Sequence, residues 1–146
     1  MKEETKKLWR QTRLQLWPET YWLISLPHER LQYAAEAVAA SAQHFAALVI
    51  ERDEVSLTLC ESIWRQHAHE IKCTARAGPY RVITFDLNIE LSVSGYLLPA
   101  AARLAEAGIS IVPQCAFLKD HLLLKAEDAA RAMSVLQQLI TECQAG

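Results

Sequence analysis

Apolar positions along this chain recur with two periods, and they change period several times. Leu97, Ala101, Leu104 and Ala105 follow a 3–4 spacing that puts one apolar stripe on a helix. Pro99 is tolerable only in the first turn of that helix, where the missing N–H has no partner to lose, and Gly108 suits its left-handed end. Ile109, Ile111 and Val112 then predict a strand, with Pro113 marking an edge or a bulge. Leu118-Lys119-Asp120 reads as a turn, His121 to Leu124 as a returning strand, and Ala132, Val135, Leu136, Leu139 and Ile140 as the buried face of a closing helix. Glu127 and Asp128 sit in the first turn of that helix, where its dipole favours negative charge.

The earlier chain carries a related order. Tyr21 to Leu26 predicts a strand, and Leu31, Ala34, Ala35, Val38 and Ala42 predict a helix. Phe45 to Ile50 and Val55 to Leu59 flank the charged turn Glu51-Arg52-Asp53-Glu54 and read as a hairpin. Ser62 to Ala77 has weak helical spacing and reads as a helix or a crossing loop. Gly78-Pro79 signals a turn, and Tyr80 to Leu87 a strand. The charged stretch 1–17 is expected to be a short helix or arm, its tryptophans packed on the body or on a partner. The expected division is 1–17 as arm, 18–77 as a first half and 78–146 as a second.

Composition narrows the function classes. An apolar share of 51% with only four glycines in 146 residues describes an ordered globule. A net charge of −2 without a basic run gives no footprint for nucleic acid, and no apolar run is long enough to span a membrane. Cys60, Cys73, Cys115 and Cys143 form no close pair and read as reduced thiols, the basis for expecting a cytoplasmic protein. His67, His69 and Cys73 lack the spacing of a structural zinc motif, so no metal is expected. Nucleophile-elbow, P-loop and dinucleotide fingerprints are absent, so neither an enzyme nor a cofactor is expected.

The stretch GYLLPAAARLAEAGISIVPQCAFLKDHLLLK resembles ACT-domain proteins, in the stand-alone branch related to the CASTOR arginine sensors and to the regulatory domains of aspartate kinases. The matching features are Gly95 opening a helix, LAEAGIS from Leu104 to Ser110, and Phe117 shortly before Asp120-His121 and an apolar strand. DEVSL, Asp53 to Leu57, is a weaker match. The resemblance implies an α+β chain of two tandem ferredoxin-like (βαββαβ) ACT units packed side by side. It also implies a small-molecule site, commonly for an amino acid, and pairing into a dimer.

An amino acid needs donors for its carboxylate and an acceptor for its ammonium. Backbone N–H groups where a helix opens supply the first, so Val93, Ser94, Gly95, Tyr96 and Leu97 are the candidates. Asp120 is the first candidate for the ammonium and Glu90 the second. Phe117 belongs to the matched hairpin, and the resemblance implies that Val55 and Ser56 close the site from the first half. Plainer roles are open to the same residues: a loop glycine, a turn aspartate, a solvated glutamate. The expectation is a non-enzymatic regulatory protein that binds an amino acid. Its alternative is a module that uses the same fold only to dimerise.

Overall fold

The computed structural model describes residues 1–146. In chain order it forms α1 (Glu3–Gln11), β1 (Leu14–Leu16), β2 (Tyr21–Leu26), α2 (Leu31–Ala39), β3 (Ala47–Ile50), β4 (Val55–Cys60), α3 (Glu61–Ile71), β5 (Ala75–Phe85), α4 (Leu98–Glu106), β6 (Val112–Cys115), β7 (Asp120–Lys125) and α5 (Ala129–Ala145). Two compact units divide the chain: Trp17–Arg81, and Met1–Leu16 together with Val82–Gly146.

The unit Trp17–Arg81 is continuous in sequence and has the order β2-α2-β3-β4-α3-β5, the last strand represented by residues 75–81. Its strands lie in the order β3-β4-β2-β5 with antiparallel pairing throughout, which is the ferredoxin-like arrangement. Alternation in β2 and β4 explains the core: Ile24, Leu26, Leu57 and Leu59 are buried along with Ala34, Ala37, Ile63 and Ile71. The weakly periodic segment after Cys60 is a helix, with Ile63, Trp64 and Ile71 buried.

Gly78-Pro79 does not make the expected turn. The pair lies inside β5, where the register slips from Tyr21↔Tyr80 to Leu23↔Ala77. Two residues of β5 therefore face the single residue Trp22, which is a β-bulge. A bulge accommodates the two strongest turn-formers in the chain without ending the strand. Gly78 is required there: its φ is +137°, and a Cβ would stand 2.9 Å from both the Trp22 ring and the Tyr21 carbonyl oxygen.

The unit of Met1–Leu16 with Val82–Gly146 has the same topology with a different chain start. Its strand 82–85 leads through α4, β6, β7 and α5, and the place of the sixth element is filled by β1 from the N-terminus. β1 runs antiparallel to β5, pairing Leu14, Gln15 and Leu16 with Phe85, Thr84 and Ile83, while β7 and then β6 follow on the other side of β5. The stretch expected as a helix or arm is thus a helix followed by a strand. Only the short Leu-Gln-Leu alternation hints at β1. Pro113 lies in β6, the last strand in this order, where a missing N–H does no harm.

The core of this unit gathers Ile83, Phe85, Leu104, Leu122, Leu124, Ala132, Leu136, Leu139 and Ile140 around Trp9, whose side chain is fully enclosed. α1 is held to α5 by the Arg10 guanidinium, whose Nε donates to the Cys143 carbonyl at 2.8 Å, near the negative end of α5. Gly78→Ala should cost about 1–3 kcal/mol through strain and crowding at the bulge. Chemical denaturation measures this, and an unchanged midpoint would contradict the tight approach.

Candidate functional site

Three segments of the unit containing β1 converge on a pocket of about 240 Å³. They are the loop after β5 (Ile89, Glu90, Leu91), the loop entering α4 (Val93, Gly95, Tyr96, Leu97), and the β6–β7 hairpin (Cys115 to Leu118, with Asp120). The first and third are clipped together: the Ile89 N–H donates to the Leu118 carbonyl at 2.9 Å, and Lys119 Nζ lies 2.6 Å from an Asp86 carboxylate oxygen.

The loop entering α4 is shaped by two constraints. Gly95 has a φ of +80°, a conformation costly for other residues, and it stands in open space. Tyr96 is the anchor. Its ring stacks on Trp9 at 4.7 Å between centroids, its carbonyl accepts the Trp9 indole N–H at 2.8 Å, and its hydroxyl meets Thr12 Oγ1 at 2.6 Å. Thr12 already donates its hydroxyl proton to the Leu8 carbonyl, so the Tyr96 hydroxyl is the donor to Thr12. Burial pushes the Tyr96 phenol up to about 12; the Thr12 bond opposes this and the Asp120 charge adds to it.

The first turn of α4 has no side-chain cap, and Pro99 near its start has no N–H to satisfy. The Val93 N–H is consumed within the loop by the Glu90 carbonyl at 3.0 Å, which removes Val93 from the set of expected carboxylate donors. No hydrogen bond within the chain takes up the N–H groups of Gly95, Tyr96 and Leu97, and all three residues line the pocket. Ser94, between Val93 and Gly95, is exposed and does not line the pocket, contrary to expectation.

Asp120 opens β7 directly opposite Cys115 of β6 instead of lying in the turn. The turn falls one step earlier, over 116–119, closed by the Ala116 N–H donating to the Lys119 carbonyl at 2.9 Å. Asp120 and Glu90 are the only charged residues lining the pocket, and the neighbouring Lys119 ammonium is turned to Asp86. Phe117 is 75% exposed and Leu118 51%, at the centre of a turn where small polar residues are the usual choice.

Asp120, Glu90, Gly95, Tyr96, Val93 and Phe117 thus come together in one pocket, although up to 30 positions separate them. Val55 and Ser56 do not line it. They belong to the other unit, where Val55 points into the core with no exposed surface and Ser56 lines a separate depression beside Ser25 and Glu54. The sequence reading missed Ile89, Leu91, Cys115, Ala116 and Leu118 as lining residues. Nothing in a loop of mixed apolar and polar residues announces which side chains face a cavity.

Elsewhere in this unit, His121 is buried and its Nδ1 lies 2.7 Å from Thr84 Oγ1. Burial holds its pKa below the usual imidazole value, with Asp120 opposing and Lys119 reinforcing that shift. It is a packed neutral histidine. No three His, Cys, Asp or Glu side chains are grouped to hold a metal ion.

Cys115 is exposed, because edge strand β6 turns that residue away from the core. Its thiol is nonetheless pushed up to about 11, first by local desolvation and then by a hydrogen bond to Asp120 and that carboxylate's charge. At pH 8 about one part in a thousand is then thiolate, the reactive form. Iodoacetamide should label Cys115 far more slowly than an ordinary exposed thiol, and Asp120→Asn should speed labelling severalfold. Equal rates in the two proteins, read by mass spectrometry at Cys115, would separate the carboxylate from the thiol.

No protein-family model matches the sequence, and no curated protein does. Solved structures match over nearly the whole chain. A protein of unknown function from Vibrio cholerae, described as a possible transport protein, has a TM-score of 0.69 and 21% identity, covering 92% of this chain and 94% of its own. Aspartokinase alpha and beta subunits give 0.66 and 14%, covering 94% and 99%. The regulatory subunit of aspartate kinase from Thermus flavus gives 0.65 and 12%, covering 86% and 95%. At such identities the likeness is one of fold, here two ferredoxin-like halves.

Proposed function

We propose that this chain is a non-enzymatic regulatory module that binds an amino acid in the pocket between the α4-entry loop and the β6–β7 hairpin. The observation that carries the reading is the meeting of uncommitted backbone donors at Gly95 to Leu97 with the Asp120 carboxylate across one small cavity. Backbone N–H groups at a helix start suit a carboxylate, and a carboxylate lacking a cationic partner suits an ammonium. The shared fold with regulatory subunits of aspartate kinase supports a regulatory role, as does the resemblance of residues 95–125 to stand-alone ACT proteins. A soluble, cytoplasmic homodimer is the form in which such a module would act.

Binding has a physical route to the rest of its unit. The amides assigned to the ligand carboxylate include that of Tyr96, whose carbonyl, ring and hydroxyl are all fastened to α1 and Thr12. Drawing the loop toward a ligand would strain or tighten those contacts, so α1 is the element through which occupancy would be felt. Coupling of this kind requires a differential affinity for two arrangements of the loop.

One observation favours the alternative of a ligand-independent interaction module. β3 ends its strand order with a free edge, and its Val49 and Ile50 are 54% and 61% exposed. An exposed apolar edge pairs readily with another chain. That reading expects a dimer indifferent to small molecules.

A thermal-shift screen against the twenty amino acids, followed by titration calorimetry, separates the two. Ligand at a hundred times its dissociation constant adds about 2.7 kcal/mol, a rise of a few degrees in melting temperature. Asp120→Asn keeps the shape and removes the charge, so affinity should fall at least tenfold, in keeping with about 1.5–3 kcal/mol for a charge-assisted bond. A variant that binds as tightly as the parent would remove Asp120 from the site.

A further inference from the structure

The exposed large apolar residues of this chain are not scattered. Five of the seven, Leu91, Phe117, Leu118, Met1 and Leu98, line either the pocket described above or a second cleft that adjoins it. The second cleft has a volume of about 470 Å³ and lies along the outer side of α4, between Leu98, Pro99 and Ala102 and the start of α1 at Met1, Lys2 and Thr5. Gly95 lines both cavities, and a Cβ placed on it would meet no atom within 4 Å. The two cavities therefore share a residue that has no side chain of its own.

From this arrangement we infer that the amino acid bound at Asp120 and the Gly95 loop carries a large apolar side chain, which passes Gly95 and lies in the cleft beside Leu98. The inference rests on the amino-acid reading of the pocket and specifies its ligand class: leucine, methionine or phenylalanine. Leaving several large apolar side chains in water is costly, and covering them with an apolar group recovers that cost in proportion to area. Charge gives neither kind of charged side chain a clear advantage. An acidic one would start beside Glu90 and Asp120 and end beside Lys2, and a basic one would start beside those carboxylates and end beside the Lys2 ammonium. A side chain as short as that of alanine or serine would leave Leu98, Pro99 and Ala102 uncovered.

The test is titration calorimetry of the full chain with L-leucine, L-phenylalanine, L-alanine, L-glutamate and L-lysine, repeated on Leu98→Ser and Phe117→Ser. Both residues are largely exposed, at 69% and 75%, so both variants should fold as the parent does, which circular dichroism checks. Leucine or phenylalanine should bind at least tenfold more tightly than alanine, glutamate or lysine, and each variant should weaken that binding fivefold or more. Binding led by glutamate or lysine, and abolished by Asp120→Asn, would overturn the apolar assignment and leave the amino-acid site standing. Leucine binding unchanged in Leu98→Ser would remove the cleft from the site. No binding by any amino acid would overturn both readings.

Discussion

The stack of Trp9 on Tyr96 is the contact on which the N-terminal and C-terminal stretches of this chain depend. Trp9 has no exposed surface, and its indole is satisfied only by the Tyr96 carbonyl. Phe85 meets both rings edge-on, at 5.2 Å and 6.2 Å, so the three aromatics close the core where α1, β5 and the loop into α4 meet. One residue, Tyr96, therefore serves two ends: its side chain belongs to the core and its backbone to the pocket. The loop that would hold a ligand is anchored by the bonds that hold α1 in place.

The permuted start of this unit makes that anchoring necessary. A βαββαβ unit needs a sixth element to complete its sheet, and here β1 comes from the N-terminal stretch, while the other five elements follow residue 81. A three-residue strand contributes few ladder bonds of its own. Its place is secured by α1 beside it, through Trp9 in the core and Arg10 on the end of α5. The other unit, continuous in sequence, needs no such device and closes with residues 75–81.

Much of the fold was legible because burial imposes clean periods. β2, β4, α2, α4 and α5 follow from alternation or 3–4 spacing, and Gly108, with a φ of +74°, ends α4 as its sequence position implied. Three things were not legible. β1 is too short for its alternation to stand out from a charged helix. Gly78-Pro79 carries the chemistry of a turn, yet a register slip opposite Trp22 lets β5 run through it. The turn after β6 was placed late because Phe117 and Leu118 are apolar where turn residues are normally polar, and that anomaly marks the pocket mouth. Asp120 and Gly95, singled out from matched motifs, both line the pocket. The apolar residues around them could be found only once the loops were seen in space, and Val55 and Ser56 line no part of the same cavity.

The most direct measurement is the ¹H–¹⁵N correlation spectrum of the labelled protein titrated with L-leucine. Saturable shifts should appear at the amides of Gly95, Tyr96 and Leu97 and at Asp120, with the Trp9 indole N–H moving in step because it is bonded to the Tyr96 carbonyl. Shifts confined to other parts of the chain, or a loop that responds while the Trp9 indole stays fixed, would contradict a site built on the Trp9–Tyr96 anchor.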